Sequence, residues 1–78
     1  MTQKEKLVSK FLKNPTSLRY IQIVTVLEDH GFFQVQAKGS HVKFKHPKLD
    51  YDLTIPIHNK DCKDFYKQQA KKFLEKVT

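Results

Sequence analysis

At 78 residues and a formal charge of +7, the chain suffices for one domain over residues 1–78 and a modest core, but not for a deep cleft. Fourteen of its fifteen cationic residues are Lys, against eight Asp plus Glu, which points to a polyanionic partner, nucleic acid first. A single Cys excludes an internal disulfide, and without a long apolar run or a signal-peptide core no membrane span is expected and the reading is cytoplasmic.

The first element is a helix over Thr2 to Leu12. Leu7, Val8, Phe11 and Leu12 recur at helical spacing, Thr2 and Glu5 form a capping-box pattern, and Asn14-Pro15 ends it. The second is a helix over Ser17 to His30, with Tyr20, Ile23, Val24 and Leu27 on one face and Ile21 beside them. Its β-branched run, Ile21 to Val26, also suits a strand. A cap at Thr16 or Ser17 and Gly31 at the C-terminal left-handed position favour helix.

Three strands follow as an antiparallel meander. Phe33, Val35 and Ala37 alternate with Gln34 and Gln36, and Lys38-Gly39 supplies a tight turn. Val42 and Phe44 are the natural core residues of the middle strand, between His41, Lys43 and Lys45. His46-Pro47 to Asp50 turns the chain again. Tyr51, Leu53, Ile55 and Ile57 then alternate with Asp52, Thr54 and Pro56. A last helix runs from Asp61, its cap, to Val77. Its apolar face is Cys62, Phe65, Tyr66, Ala70, Phe73, Leu74 and Val77, and a second face carries a stripe of Lys60, Lys63, Lys67 and Lys71. The predicted class is α+β in the order α-α-β-β-β-α, with the helices on one face of the sheet and the other face in water.

The middle strand carries the chemistry. Alternation points His41, Lys43 and Lys45 the same way, roughly 7 Å apart in succession. RNA brings its own nucleophile, the ribose 2′-OH. Cleavage needs a group to move that proton and cations to offset the charge building on phosphorus. An imidazole serves the first need and Lys43 and Lys45 the second. Gly39 and Ser40 set His41 at the mouth of the hairpin, where the Ser40 hydroxyl can contact phosphate. The same residues also suit a solvated face without activity.

Among the other residues, His30 suits a helix C-terminus, His46 the core side or turn at a strand end, and His58 an approach to RNA. Cys62 reads as a small core residue, and Thr54 shares the face of His41. With one Cys and no tight His pair, no zinc site is expected, nor any cofactor.

The runs Gly31-Phe32, Lys38-Gly39-Ser40-His41, Phe44-Lys45-His46-Pro47 and Leu53-Thr54-Ile55-Pro56-Ile57-His58 resemble the HicA toxins of bacterial toxin–antitoxin pairs. The opening, Lys4-Glu5-Lys6-Leu7 through Asn14-Pro15, resembles the longer members, so the likeness covers nearly the whole chain. It implies a fold like a double-stranded-RNA-binding domain. It implies metal-independent mRNA cleavage with His41 as the catalytic residue. The residues expected around the RNA are Lys38, Gly39, Ser40, Lys43 and Lys45. It also implies a HicB-type antitoxin partner bound over the active site. The chain departs from the common pattern at Val42, at Lys60-Asp61-Cys62-Lys63 and in its β-branched second helix. A non-catalytic RNA-binding module and a protein-binding adaptor with a basic face are the rival readings.

Overall fold

The computed structural model describes residues 2–78. It contains α1 (Gln3–Lys13), a 3-10 turn (Pro15–Ser17), α2 (Tyr20–Asp29), β1 (Phe33–Gln36), β2 (His41–Lys45), β3 (Leu53–Pro56) and α3 (Asp64–Val77). The strands form one antiparallel sheet in the order β1-β2-β3. The fold is α+β, as the sequence predicts.

Thr2 caps α1 by accepting the Glu5 N–H at 3.2 Å. α2 starts later than Ser17. The hydroxyls of Thr16 and Ser17 instead bond Asn14, at 3.0 and 2.8 Å, and hold the 3-10 turn. Arg19 occupies the N-cap position, and Gln22 reaches back to its N–H at 2.9 Å. Leu18 and Ile23, both fully buried, sit at the positions of a hydrophobic staple.

Helix wins over strand in α2 on magnitude. A β-branched residue loses at most about 0.7 kcal/mol against Ala in a helix. Burying an aliphatic side chain returns about 1.5–3 kcal/mol. Ile23, Val24, Val26 and Leu27 are all buried, while Ile21 is 65% exposed. The helix ends in a Schellman arrangement: the Phe32 N–H reaches the Leu27 carbonyl at 3.0 Å and the Gly31 N–H reaches Glu28 at 3.2 Å. Gly31 has φ +94°, and a Cβ there would lie 3.0 Å from Nε2 of His46.

The core lies between the helices and one sheet face. Phe11, Leu27, Phe44, Ile55 and Leu74 are fully buried in it. Phe44 meets Tyr20 edge-on at 6.5 Å. Burial, helped by the nearby Cys62 and Glu28, pushes the Tyr20 hydroxyl up to about 12. Val42 is half-buried against the core.

Three expectations for the last helix need correction. It begins at Asp64, not Asp61, with Lys63 at its N-cap. Phe65 is 60% exposed, so it lies off the apolar face that Ala70 and Leu74 bury. The lysine stripe is broken. Lys67 is 6% exposed and pairs with Asp61 at 3.4 Å, and Lys60 lies in a turn before the helix. That turn is a tight reversal: His58 and Asp61 exchange backbone bonds at 2.8 and 2.9 Å, with Asn59 and Lys60 at φ 52° and 65°. Two positive φ values are the signature of a type I′ turn.

Candidate nucleic-acid interface

The β-sheet register decides which side chains share the open face. Phe44 faces Leu53 across β2 and β3, and Val42 faces Ile55, so these four look toward the helices. Alternation sends His41, Lys43 and Lys45 the other way. Their partners on that face are Pro56 opposite His41 and Thr54 opposite Lys43. From β1 come Val35 opposite Lys43 and Phe33 opposite Lys45.

The β1 strand runs against the ordinary reading of its alternation. Its apolar residues lie on the lysine face, and Phe33 is 49% exposed there. Gln34 and Gln36 look toward the helices instead. Gln34 finds a polar neighbour on that side, donating to the Glu28 carboxylate at 3.3 Å. The exposed C-terminal turn of α2 over this edge strand offers polar groups where a central strand would meet apolar ones.

His41 is exposed at the first position of β2. The turn before it is closed by the His41 N–H on the Lys38 carbonyl at 3.2 Å. Gly39 has φ +64° with nothing within 4 Å of an added Cβ, so its backbone conformation and not crowding asks for glycine. The Ser40 carbonyl accepts the Ile57 N–H at 2.9 Å, which ties the hairpin mouth to the end of β3. Lys38, Gly39 and Ser40 are all exposed. The loop and the imidazole therefore meet on open surface, as a site for a long flexible polymer requires.

The two strand lysines differ. Lys45 lies 3.2 Å from the Asp52 carboxylate, both partly exposed. An exposed pair of this kind contributes about 0–1 kcal/mol, little enough for a phosphate to displace it. Among the described residues, Lys43 has no such carboxylate partner.

Of the remaining histidines, His30 and His46 have structural partners for their rings. The His30 ring donates from Nδ1 to the Val26 carbonyl at 2.8 Å, because its backbone N–H has turned to Leu27 and Glu28. His46 accepts the Lys48 N–H at Nδ1, 3.0 Å, which leaves Nε2 to donate to the His30 carbonyl at 2.9 Å. Its ring also packs on Phe32 at 4.8 Å between centroids. His58 lines a shallow hollow with Asp61, Cys62 and Lys67. Burial pushes the Cys62 thiol up, and the Asp61 and Asp64 carboxylates add to that against the opposing pull of Lys67. A raised thiol pKa disfavours a thiolate nucleophile. Among the described residues, no three His, Cys, Asp or Glu side chains gather as a metal-ligand set, and no helix is long and apolar enough to cross a membrane.

Sequence reasoning missed Phe33 as part of this face. The alternation of β1 groups Phe33 with Val35 without saying which face they take, and the pairing of Phe33 with Lys45 assigns it.

A family model described as the HicA toxin of bacterial toxin-antitoxin matches residues 21–76, which takes in the whole sheet, the loop before His41 and nearly all of α3. No curated protein and no solved structure matches the chain.

Proposed function

The chain belongs to the HicA toxin family of bacterial toxin–antitoxin systems, and from that membership we propose that it is an endoribonuclease that cleaves mRNA with His41 as its acid–base group. The observation that supports this best is the exposed imidazole at the hairpin mouth, on the same sheet face as Lys43 and Lys45. As base, His41 takes the proton of a ribose 2′-OH. The 2′-oxygen attacks the adjacent phosphorus and the P–O5′ bond breaks. The 5′-oxygen leaves as a hydroxyl with a proton from solvent, and His41 returns its own proton to water. Lys43 offsets the charge that builds on the phosphoryl oxygens, and Lys45, at the far end of β2, holds a neighbouring phosphate when released from Asp52. Lys38, Gly39 and Ser40 line the RNA path, with the Ser40 hydroxyl as a phosphate contact.

Family likeness extends the reading to a metal-independent reaction in the cytoplasm. It also supplies a HicB-type antitoxin that covers His41. A basic toxin face of this kind suits an antitoxin with acidic groups.

The chemistry is tested with an RNA oligonucleotide, its 2′-deoxy counterpart and EDTA. The RNA should be cut in EDTA to a 2′,3′-cyclic phosphate or 3′-phosphate and a 5′-hydroxyl, and the deoxy strand left whole. Equal cutting of both strands would remove the 2′-OH from the mechanism. An intact RNA that nevertheless binds would favour the non-catalytic RNA-binding module.

A further inference from the structure

Phe33 belongs neither to the buried core nor to the side chains packed against it. Its ring is 49% exposed on the face opposite the core, directly across from Lys45. Val35, half-buried, continues the apolar row opposite Lys43. At this end of the face, Asp52 pairs with Lys45 at 3.2 Å and lowers the positive potential. The other end presents the exposed His41 and Lys38. The face thus grades from a cationic end suited to phosphate toward an aromatic end suited to a flat apolar group.

Resting on the RNA reading above, we infer that Phe33 is a base-stacking platform and that the face takes single-stranded RNA, one base laid on Phe33 while the scissile phosphate lies at His41. Lys45, the Phe33 partner, lies four positions along β2 from His41, about 13 Å of strand. That is of the order of two nucleotides of extended single strand, so the stacked base lies near the cut but outside it. A lysine-bearing sheet with an exposed aromatic is the arrangement that holds single strands in general. A duplex keeps its bases stacked on one another and has none to give Phe33. The face therefore selects unpaired RNA.

The chain has no Trp, so Phe33→Trp places a lone reporter at the platform. His41→Ala in the same protein is used to keep the RNA whole. The probes are a ten-nucleotide oligoadenylate and an RNA duplex of that length. Ile21→Trp is the control, since Ile21 is 65% exposed on α2, a helix on the other side of the sheet.

The oligoadenylate should quench the Trp at position 33 saturably and leave that at position 21 unchanged. Phe33→Ala should weaken oligoadenylate binding about 5- to 150-fold, the usual range for one stacked base, and Phe33→Tyr should restore it. Duplex binding should be indifferent to position 33. If oligoadenylate binds through Lys43 while the fluorescence is flat and Phe33→Ala binds as well as Phe, the platform is refuted and the RNA reading survives. The apolar row would then be left for a protein partner. Equal dependence of the duplex on Phe33 would refute the single-strand preference. If neither RNA binds any variant, both readings fall.

Discussion

The Asp61 carboxylate accepts the backbone N–H of Tyr20 at 3.1 Å, joining the turn before α3 to the first residue of α2 across 41 positions of sequence. The same oxygen takes the Cys62 N–H at 2.8 Å and faces the Lys67 ammonium at 3.4 Å. One side chain thus satisfies an open N–H at the start of α2 and the charge of a buried lysine. Asp61→Ala should destabilise the protein by about 1–3 kcal/mol, because both groups lose their acceptor. Asp61→Asn, which keeps an oxygen for Tyr20, should cost less. Urea unfolding of the three proteins measures this, and equal midpoints would show that water replaces the carboxylate without loss.

Asp61 also gives stability a pH dependence of known sign. Partial burial raises its carboxyl, but the Cys62 and Tyr20 N–H groups and Lys67 together hold it below its ordinary 3.8. A carboxyl lowered by folding adds stability that is complete above its unfolded value and lost as pH falls through the folded value. The gap in urea midpoint between native protein and Asp61→Asn should therefore be constant above about pH 5 and close progressively below pH 4. A gap that widens on acidification would reverse the assignment.

His46 and Gly31 form a second structural pair, at the junction of α2 and β2. The ring bridges the Lys48 N–H and the His30 carbonyl, and a Cβ on Gly31 would press on it at 3.0 Å. Gly31→Ala should cost at least about 1–2 kcal/mol from the left-handed backbone alone, with the contact adding to it. His46→Ala should lose about 1–3 kcal/mol by leaving those backbone groups unpaired. Neither residue touches His41, so RNA cleavage per folded molecule should hold in both. Loss of activity without loss of stability in His46→Ala would move His46 into the chemistry.

The helices, the strand order and the exposure of His41 were legible because each rests on local periodicity or on a glycine that a turn requires. Phe44 is an example: its alternation with Lys43 and Lys45 already assigns it inward, and it is fully buried. The errors arise where a distant partner decides. Asp61 carries the composition of an α3 cap, yet it serves α2, because the Asn59-Lys60 turn folds it back toward Tyr20. Lys67 falls in a row of lysines by spacing, yet it is buried and paired with Asp61. Phe33 alternates with Gln34 in its own strand, which leaves its face open; its pairing with β2 sets that face, and an edge strand tolerates Gln34 toward the helices. Within the proposed site, the strand lysines were visible in sequence, whereas the Lys45–Asp52 pair and Phe33 were not.

The Lys45–Asp52 pair makes a prediction of its own. Asp52→Asn removes a negative charge beside the lysine face and releases Lys45. RNA affinity should rise, and the slope of log affinity against log salt should steepen by up to about 0.7, one additional phosphate contact on a single strand. Lys43→Ala should weaken binding and flatten the slope by a similar amount. Filter binding from about 50 to 200 mM salt resolves both changes. An Asp52→Asn protein with native affinity and slope would mean that phosphate does not reach Lys45.

The central claim is that His41 moves the proton in RNA cleavage, and the rate of His41→Ala on the same RNA tests it most directly. The imidazole is exposed on the face away from the core, so its removal should leave the fold and most of the lysine-borne affinity intact. The measurement is single-turnover cleavage of one RNA in EDTA, native against His41→Ala, with far-UV circular dichroism and RNA affinity measured on the same preparations. The variant should fold, bind, and cleave about 10²–10⁴-fold more slowly, the usual contribution of one acid–base group. A folded His41→Ala protein that cleaves at the native rate would contradict the account.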